Sequence, residues 1–111
     1  MKTYNLKQNF PTQLEAGKKL SEIIQSSKSQ NLKVIKVIHG YGSTGVGGTL
    51  KHSIRRSLRN RRKKKEIKAF IPGDAFYEML GFDEVINEYK HLIKHDRDYG
   101  RNNEGITYII L

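Results

Sequence analysis

The residues best suited to chemistry lie between Val34 and Lys65, where a histidine ends an apolar run and a glycine-rich loop follows. The run Val34–Ile38 leads into His39, and the loop then holds five glycines, at positions 40, 42, 45, 47 and 48. A segment with leucine and isoleucine at helical spacing and many cations comes next. Backbone N–H groups, a helix N-terminus and cations all favour phosphate, so this order predicts a phosphate-binding site.

His39 has two candidate roles. It follows a strand, at the end where ligand sites open in α/β sheets, and an ordinary pKa near neutrality suits a general acid or base acting on a phosphodiester. Alternatively, its ring hydrogen-bonds the glycine loop and fixes the shape of that loop. Lys7 is the second catalytic candidate, because it neighbours His39 if the first two strands pair, and it would then contact phosphate.

The loop offers further contacts. Tyr41 either stacks on an unpaired base or packs back on the domain, and Ser43 and Thr44 are either phosphate donors or ordinary loop residues. The set predicted to bind the anionic partner comprises Gly40, Tyr41, Gly42, Ser43, Thr44, Gly45, Lys51, Arg55, Arg56, Arg59 and Arg62.

The charge of the chain is concentrated in one segment. The whole chain carries a net charge of +10, and ten basic residues but one acid, Glu66, lie between positions 51 and 68. Within that segment we expect Arg55, Arg56 and Arg59 to contact phosphate. One-sided clustering predicts a polyanionic partner. A merely solvated face is the alternative, and an anionic membrane surface is less favoured because the helix has no aromatic or bulky apolar residues beyond its core stripe.

Composition limits the class of protein. A chain of 111 residues is expected to form one domain, residues 1–111, around a single core. The absence of cysteine excludes disulfides and thiol chemistry. No apolar run approaches the roughly 20 residues of a membrane span, so we expect a soluble, cytoplasmic protein with no membrane partner.

Alternating strand and helix patterns predict an α/β fold with two helices packed on a mostly parallel sheet. Thr12, with Glu15 three residues later, forms a capping box ahead of the first helix. The predicted helices cover residues 12–29 and 48–64, with shorter ones over 75–80 and 83–91 and a polar loop over 96–104. The predicted strands are Thr3–Lys7, Leu32–Ile38, Ile67–Ile71 and Gly105–Leu111.

The glycine loop matches one familiar template literally. Gly40-x-Gly42-x-x-Gly45 follows a strand and precedes a helix, as the dinucleotide fingerprint requires. The next strand of that fold should end in an acid that binds the ribose, whereas this chain has Arg61–Lys65 in that region. The P-loop pattern fails because no Gly-Lys-Ser/Thr follows the loop. Dinucleotide binding is therefore disfavoured.

These residues resemble the signature of the Smr (small MutS-related) domain family. His39–Gly42, followed by further glycines and a helix carrying Leu50 and Arg55, is similar to the His-Gly-x-Gly element of that family. Gly105–Thr107 is similar to the Gly-x-Thr of its last strand. The resemblance covers nearly the whole chain and implies a two-layer βαβαββ sandwich, with a mixed four-stranded sheet and two main helices, similar to the C-terminal domain of translation initiation factor three. Residues 73–103 would be an expanded connection before the last strand.

The resemblance also implies binding of DNA or RNA and, in some members, a metal-dependent endonuclease that nicks with Mg²⁺ or Mn²⁺. The first strand of many Smr domains carries Leu-Asp-Leu-His-Gly or Leu-Asp-Leu-Arg-Gly, whose acid and basic residue are linked to cleavage. Here Asn5 replaces the acid, and Lys7 stands at the basic position. An amide takes no proton and binds metal less strongly than a carboxylate, so binding carries over better than catalysis. The alternatives are an endonuclease that uses His39 and a ribosome- or RNA-associated accessory protein.

A metal site is disfavoured on the residues alone. His91 and His95 are four apart, with Asp96 and Asp98 nearby, and would share a face if the helix continues that far. Ordinary surface polarity accounts for the same residues more simply.

Overall fold

Four strands form one mixed sheet in the part of the chain that the structure describes, and three helices pack against it. The structure, a computed structural model, describes residues 1–9, 11–40, 46–76 and 80–111. In chain order its elements are β1 (Lys2–Asn5), α1 (Gln13–Ser29), β2 (Val34–Ile38), α2 (Val46–Lys63), β3 (Ala69–Pro72), α3 (Asp83–Ile93) and β4 (Ile106–Ile110). All four predicted strands and both main helices are present, with ends that differ by one or two residues.

The last strand is inserted between the second and the third. The strand order is β1-β2-β4-β3; β1 is parallel to β2, whereas β4 is antiparallel to both of its neighbours. The mixed four-stranded sheet is therefore confirmed, but the expectation of a mostly parallel sheet is wrong. The reason is the long connection after β3: α3 carries the chain to the opposite end of the sheet, and residues 94–105 carry it back, so β4 begins where β3 ends.

The two main helices cover one face of the sheet. On the sheet side, Ile35, Val37 and Ile109 are fully buried. The apolar stripe of α1 and the fourfold-spaced stripe of α2 pack on them, through Leu20, Ile23, Ile24, Leu50, Ile54 and Leu58. Burial of these aliphatic side chains at about 1.5 to 3 kcal/mol each is the main stabilising contribution of this layer.

The third helix covers the other face. Ile86 and Ile93 of α3 pack on Ile71, Ile106 and Tyr108 of the sheet in a second apolar cluster. The sequence predicts two layers; α3 adds a third, and the connection over 73–103 supplies it. Period-two alternation along β2 and β4 sends side chains to both faces, so both faces need a cover.

Local capping agrees with the sequence. The Thr12 hydroxyl accepts the Glu15 N–H at 3.1 Å, and the Glu15 carboxylate accepts the Thr12 N–H at 3.1 Å, so the predicted capping box is confirmed. Gly73–Phe76 form turns, and the rest of the short helix predicted over 75–80 lies largely outside the described residues. None of the described helices is both long and apolar enough to cross a membrane.

A buried lysine fastens the polar segment after α3 to the sheet. Lys36 in the middle of β2 is 4% exposed, and its Nζ lies 3.0 Å from the Asp96 carboxylate and 2.8 Å from that of Asp98. The Tyr108 hydroxyl donates to Asp96 at 2.7 Å. Burial opposes the charge on Lys36, but the carboxylates of Asp98 and Asp96 hold its pKa above the ordinary value. The polar loop predicted over 96–104 is therefore held against the second face by its acids.

The close approach of the two ends of the long connection depends on Gly73. A Cβ at this position would collide with the Asn103 carbonyl oxygen and lie 2.7 Å from the Ile106 side chain. Gly73→Ala is therefore expected to lower the free energy of unfolding by about 1 to 3 kcal/mol, the usual cost of overpacking. Urea denaturation followed by circular dichroism measures the change.

Gly17→Ala is the matched control. A Cβ at Gly17 meets nothing within 4 Å, and the position is inside α1. Alanine there should raise the free energy of unfolding by up to about 1 kcal/mol through helix propensity. Equal effects of the two substitutions would contradict the packing argument.

Candidate nucleic-acid interface

The candidate site lies where the parallel strands β1 and β2 end. The Leu6 N–H donates to the Ile38 carbonyl at 2.7 Å, which continues the pairing past β1. Asn5 then ends the strand, because its side-chain oxygen accepts the Lys7 N–H at 3.0 Å. As a result Lys7 lies beside Gly40: a Cβ on Gly40 would be 3.6 Å from the Lys7 Cδ. Lys7 is therefore brought to the start of the glycine loop, as strand pairing predicted.

His39 is enclosed at this end of the sheet. It is 0% exposed. Its Nδ1 lies 3.0 Å from the Gly40 carbonyl oxygen and its Nε2 2.8 Å from the Thr107 hydroxyl. A carbonyl only accepts, so Nδ1 carries the hydrogen in this arrangement, and Nε2 of the neutral ring accepts from Thr107. Both ring nitrogens are thus used within the protein, which matches the loop-fixing role of the two proposed for His39.

The surroundings of His39 keep its ring neutral. Burial lowers the pKa of His39 to about 4, and the nearby charges of Arg55 and Lys51 act in the same direction. The hydrogen bond to Gly40 opposes the shift without reversing it. At pH 7 the ring is consequently an uncharged connector between β2 and β4.

Arg55 is engaged inward. Its guanidinium forms an ion pair with Asp74 at 2.8 Å and donates to the Thr107 hydroxyl at 3.3 Å. The same group also lies 3.3 Å from the Glu104 carbonyl and 3.4 Å from that of Ile106. The predicted phosphate contact from Arg55 would therefore compete with four protein acceptors, and we assign this side chain a structural position.

The contacts of His39 and Arg55 join into one buried chain, which we call the Asp74–Gly40 chain. It runs from the Asp74 carboxylate through Arg55, the Thr107 hydroxyl and His39 to the Gly40 carbonyl. Thr107 can accept from Arg55 and donate to His39 at once, since a hydroxyl has one donor and two acceptor sites. Each side chain on this path has a hydrogen-bond partner, and the path links the turn after β3, α2, β4 and β2.

The other cations of α2 divide by the face on which they lie. Arg61 is half-buried against α1, where it donates to the Ser21 hydroxyl at 2.7 Å and pairs with Glu66 at 3.2 Å. Lys51 lies 4.0 Å from Glu104. The exposed face of α2 comprises His52, Arg56, Arg59, Arg62 and Lys63, all of which are exposed. Of the predicted contacts on this helix, Arg56, Arg59 and Arg62 are thus presented to solvent.

Part of the predicted site lies outside the described residues. Tyr41, Gly42, Ser43, Thr44 and Gly45 belong to this part, so their contacts with phosphate stay predictions. Gly40 is described and has a φ of +88°, a conformation that glycine adopts without strain. Its carbonyl oxygen is held by the His39 ring, so the backbone is fixed as far as Gly40.

Sequence reasoning missed a pocket on the second face of the sheet, next to Gly40. It has a volume of about 500 Å³, and Lys7, Lys36, Asp96 and Arg97 contribute to its lining. The sequence feature that could have indicated this pocket is Lys36, the single lysine in the apolar run Val34–Ile38. A charged side chain in a strand that is buried on both faces needs a partner. Which acid supplies it depends on a contact 60 residues away.

The nearby carboxylates are already paired with cations. Asp74 binds Arg55, and both Asp96 and Asp98 bind Lys36. Across the described ranges no three His, Asp or Glu side chains come together as metal ligands.

Fold and site together define a small α/β domain with a glycine loop between the second strand and a basic helix. The chain belongs to the Smr domain family, whose model matches residues 8–76. Smr domains are in general nucleic-acid-binding and nuclease-like domains. No curated protein sequence matches the chain significantly.

A solved structure supports the fold. The chain is similar to the Smr domain of Thermus thermophilus MutS2, with a TM-score of 0.62 at 18% sequence identity over 100% of this chain and 98% of the other. At this identity the likeness applies to the fold alone. Because the match covers the whole of this chain, it includes the third helix on the second face of the sheet.

The hydroxyl of Thr107 is central to the Asp74–Gly40 chain, and its removal tests the chain. Thr107→Val keeps the shape but leaves His39 Nε2 and Arg55 Nε without this partner. The free energy of unfolding should fall by about 1 to 3 kcal/mol, the cost of an unsatisfied buried group. Thr107→Ser retains the hydroxyl, so this variant should lower the free energy of unfolding by less. If serine and valine destabilise equally in chemical denaturation, the hydrogen bonds contribute nothing.

The buried imidazole predicts a pH dependence of stability. In the unfolded chain His39 titrates near its ordinary 6.5, and in the folded protein near 4. Between these values the unfolded state binds more protons, so stability is complete above about pH 6.5 and falls as the pH drops toward 4. The loss attributable to His39 is about 3 kcal/mol.

The measurement is the free energy of unfolding from urea titrations at intervals between pH 7 and pH 4. In His39→Gln the slope over this range should be smaller, because glutamine does not titrate. Parallel profiles for the two proteins would show that the His39 ring is not held neutral.

Proposed function

We propose that this Smr domain binds the phosphate backbone of nucleic acid through the exposed face of α2, together with Lys7 and the glycine loop at the end of β2. The observation that carries the proposal is the exposed face itself. Every ionisable side chain on it is basic, and no acid occurs between residues 51 and 65. Phosphate contacts of this kind need cations that are not already paired.

The division of the helix supports a binding surface over a solvated face. Where cations are needed for structure, the helix pairs them: Arg55 with Asp74, and Arg61 with Glu66. Surfaces built for solubility alone mix both signs of charge. Arg56, Arg59 and Arg62 are exposed arginines, whose planar guanidinium groups fit phosphate in a bidentate manner.

In this proposal the glycine loop is the second contact. His39 acts on it indirectly, as a positioning residue that holds the Gly40 carbonyl. Lys7 lies beside Gly40 and adds a cation at the same end. A glycine-rich loop and a helix N-terminus are groups that favour phosphate, through backbone N–H groups and the helix dipole.

The geometry favours binding over cleavage. To act as a general acid or base on a phosphodiester, the His39 ring would have to leave both Gly40 and Thr107. Its lowered pKa also makes the imidazolium scarce at pH 7. End-labelled RNA and DNA, incubated with Mg²⁺, Mn²⁺ or EDTA, should therefore be shifted on native gels and intact on denaturing gels. Metal-dependent cuts that vanish in His39→Ala would favour the nuclease alternative.

The exposed arginines can be tested directly. Arg56→Gln together with Arg59→Gln should weaken binding by about tenfold or more at moderate salt. The slope of log affinity against log salt should fall by roughly 1.4 on single strands, or roughly 1.8 on duplex DNA, as expected for two lost phosphate contacts. Fluorescence anisotropy with labelled oligonucleotides over a salt series measures both quantities.

Lys18→Gln together with Lys19→Gln is the matched control. Both lysines are exposed on α1, so this variant changes the net charge equally and removes no proposed contact. It should lose little affinity. Equal losses in both variants would mean that overall charge, not this face of α2, attracts the nucleic acid. If the unmodified protein binds neither RNA nor DNA at low salt, the proposed function is wrong.

A further inference from the structure

A second basic site lies at the opposite end of the sheet from the glycine loop. This groove, here called the end groove, has a volume of about 420 Å³. Lys28, Lys33 and Lys68 stand around it, with Leu32, Tyr89 and Leu92 among its apolar lining. The groove has no part in the Asp74–Gly40 chain, and the Smr motif residues do not line it.

Three separate segments bring the lysines together. Lys28 is in the last turn of α1, Lys33 immediately precedes β2, and Lys68 immediately precedes β3. All three are exposed, and no acid is among the residues that line the groove. With three lysines around it and no acid in its lining, the groove would attract an anionic ligand.

The end groove adjoins the exposed face of α2. The Lys28 ammonium donates to the Glu66 carbonyl at 2.7 Å, which places the end of α1 against the segment that follows α2. Burial and the neighbouring Glu88 raise the pKa of Tyr89, and the Arg62 guanidinium opposes this shift. Arg62, on the exposed face of α2, is therefore close enough to Tyr89 in the groove lining to act on it electrostatically.

We propose that the end groove is a further contact, in addition to α2 and the glycine loop, for the strand that α2 binds. It holds an unpaired nucleotide that passes beyond the C-terminal end of the helix. This inference rests on the proposed function. The lysines suit the phosphate, and the apolar and aromatic lining suits the base. This combination is the usual means of holding single-stranded nucleic acid without reading its sequence.

The length of α2 sets the size of ligand that reaches both ends. The helix has 18 residues, which at 1.5 Å each corresponds to about 27 Å. A stacked strand rises about 3.4 Å per nucleotide, so about eight nucleotides separate the glycine loop from the end groove. Oligonucleotides much shorter than this contact one end at a time, whereas those of about 14 nucleotides reach both.

The test compares single-stranded oligonucleotides of 5 and 14 nucleotides on the full chain by fluorescence anisotropy. Lys33→Gln together with Lys68→Gln should lower the affinity for the long strand by about tenfold and its salt slope by roughly 1.4, the value for two phosphates of a single strand. The affinity for the short strand should change much less. Both positions are exposed, and circular dichroism checks that the variant remains folded.

Two comparisons separate this inference from the proposed function. If Lys33→Gln with Lys68→Gln binds the long strand normally while Arg56→Gln with Arg59→Gln loses affinity for it, the end groove plays no part and the proposed function stands. If Lys18→Gln with Lys19→Gln loses as much affinity for the long strand as Lys33→Gln with Lys68→Gln, net charge explains the effect and the inference is wrong. The inference would also be overturned if an acidic peptide binds the groove while the affinity for the long strand does not depend on the groove lysines.

Discussion

The arrangement of the site depends on the hydrogen bonds that satisfy the buried ring of His39. Polar atoms removed from water must find partners inside the protein, and here each partner belongs to a different element. Thr107 is in β4, Arg55 in α2, and Asp74 in the turn after β3. Satisfying the hydrogen bonds of the whole Asp74–Gly40 chain therefore fixes the relative positions of the central strands, the basic helix and Gly40. The apolar layers supply most of the stability, while this chain joins the central strands to the basic helix and to Gly40.

The same requirement divides the cations of α2 into two kinds. Guanidinium groups on the inner flanks are paired, as with Arg55 and Arg61, because a charge near the core is costly without a counter-charge. Side chains on the outer face carry no such cost and remain in water. The net charge of +10 therefore overstates the cations that a ligand can use, and the exposed set is the smaller one that matters for binding. Arg55, central to the sequence signature, is by this reasoning a structural residue.

Local signals in the sequence predicted the local structure well. The capping box at Thr12, the apolar stripe of α2 and the strand at the end of the chain each depend on residues within a few positions of one another. The sheet order and the third layer do not, because they follow from how a connection of about 30 residues folds back. Asp96 lies 60 residues from Lys36, and Thr107 lies 68 residues from His39 and 52 from Arg55. The residue types therefore indicated that partners were needed without identifying them.

A neutral His39 also bears on how the surface would respond to its surroundings. The cations proposed to bind phosphate are arginines and lysines. Since the one histidine of the signature is held uncharged by burial, it adds no charge that varies near pH 7. The attraction for a polyanion is then governed by ionic strength, through the counterions that binding releases. A binding surface benefits from such constancy, whereas acid–base catalysis needs a group that changes its protonation near the working pH.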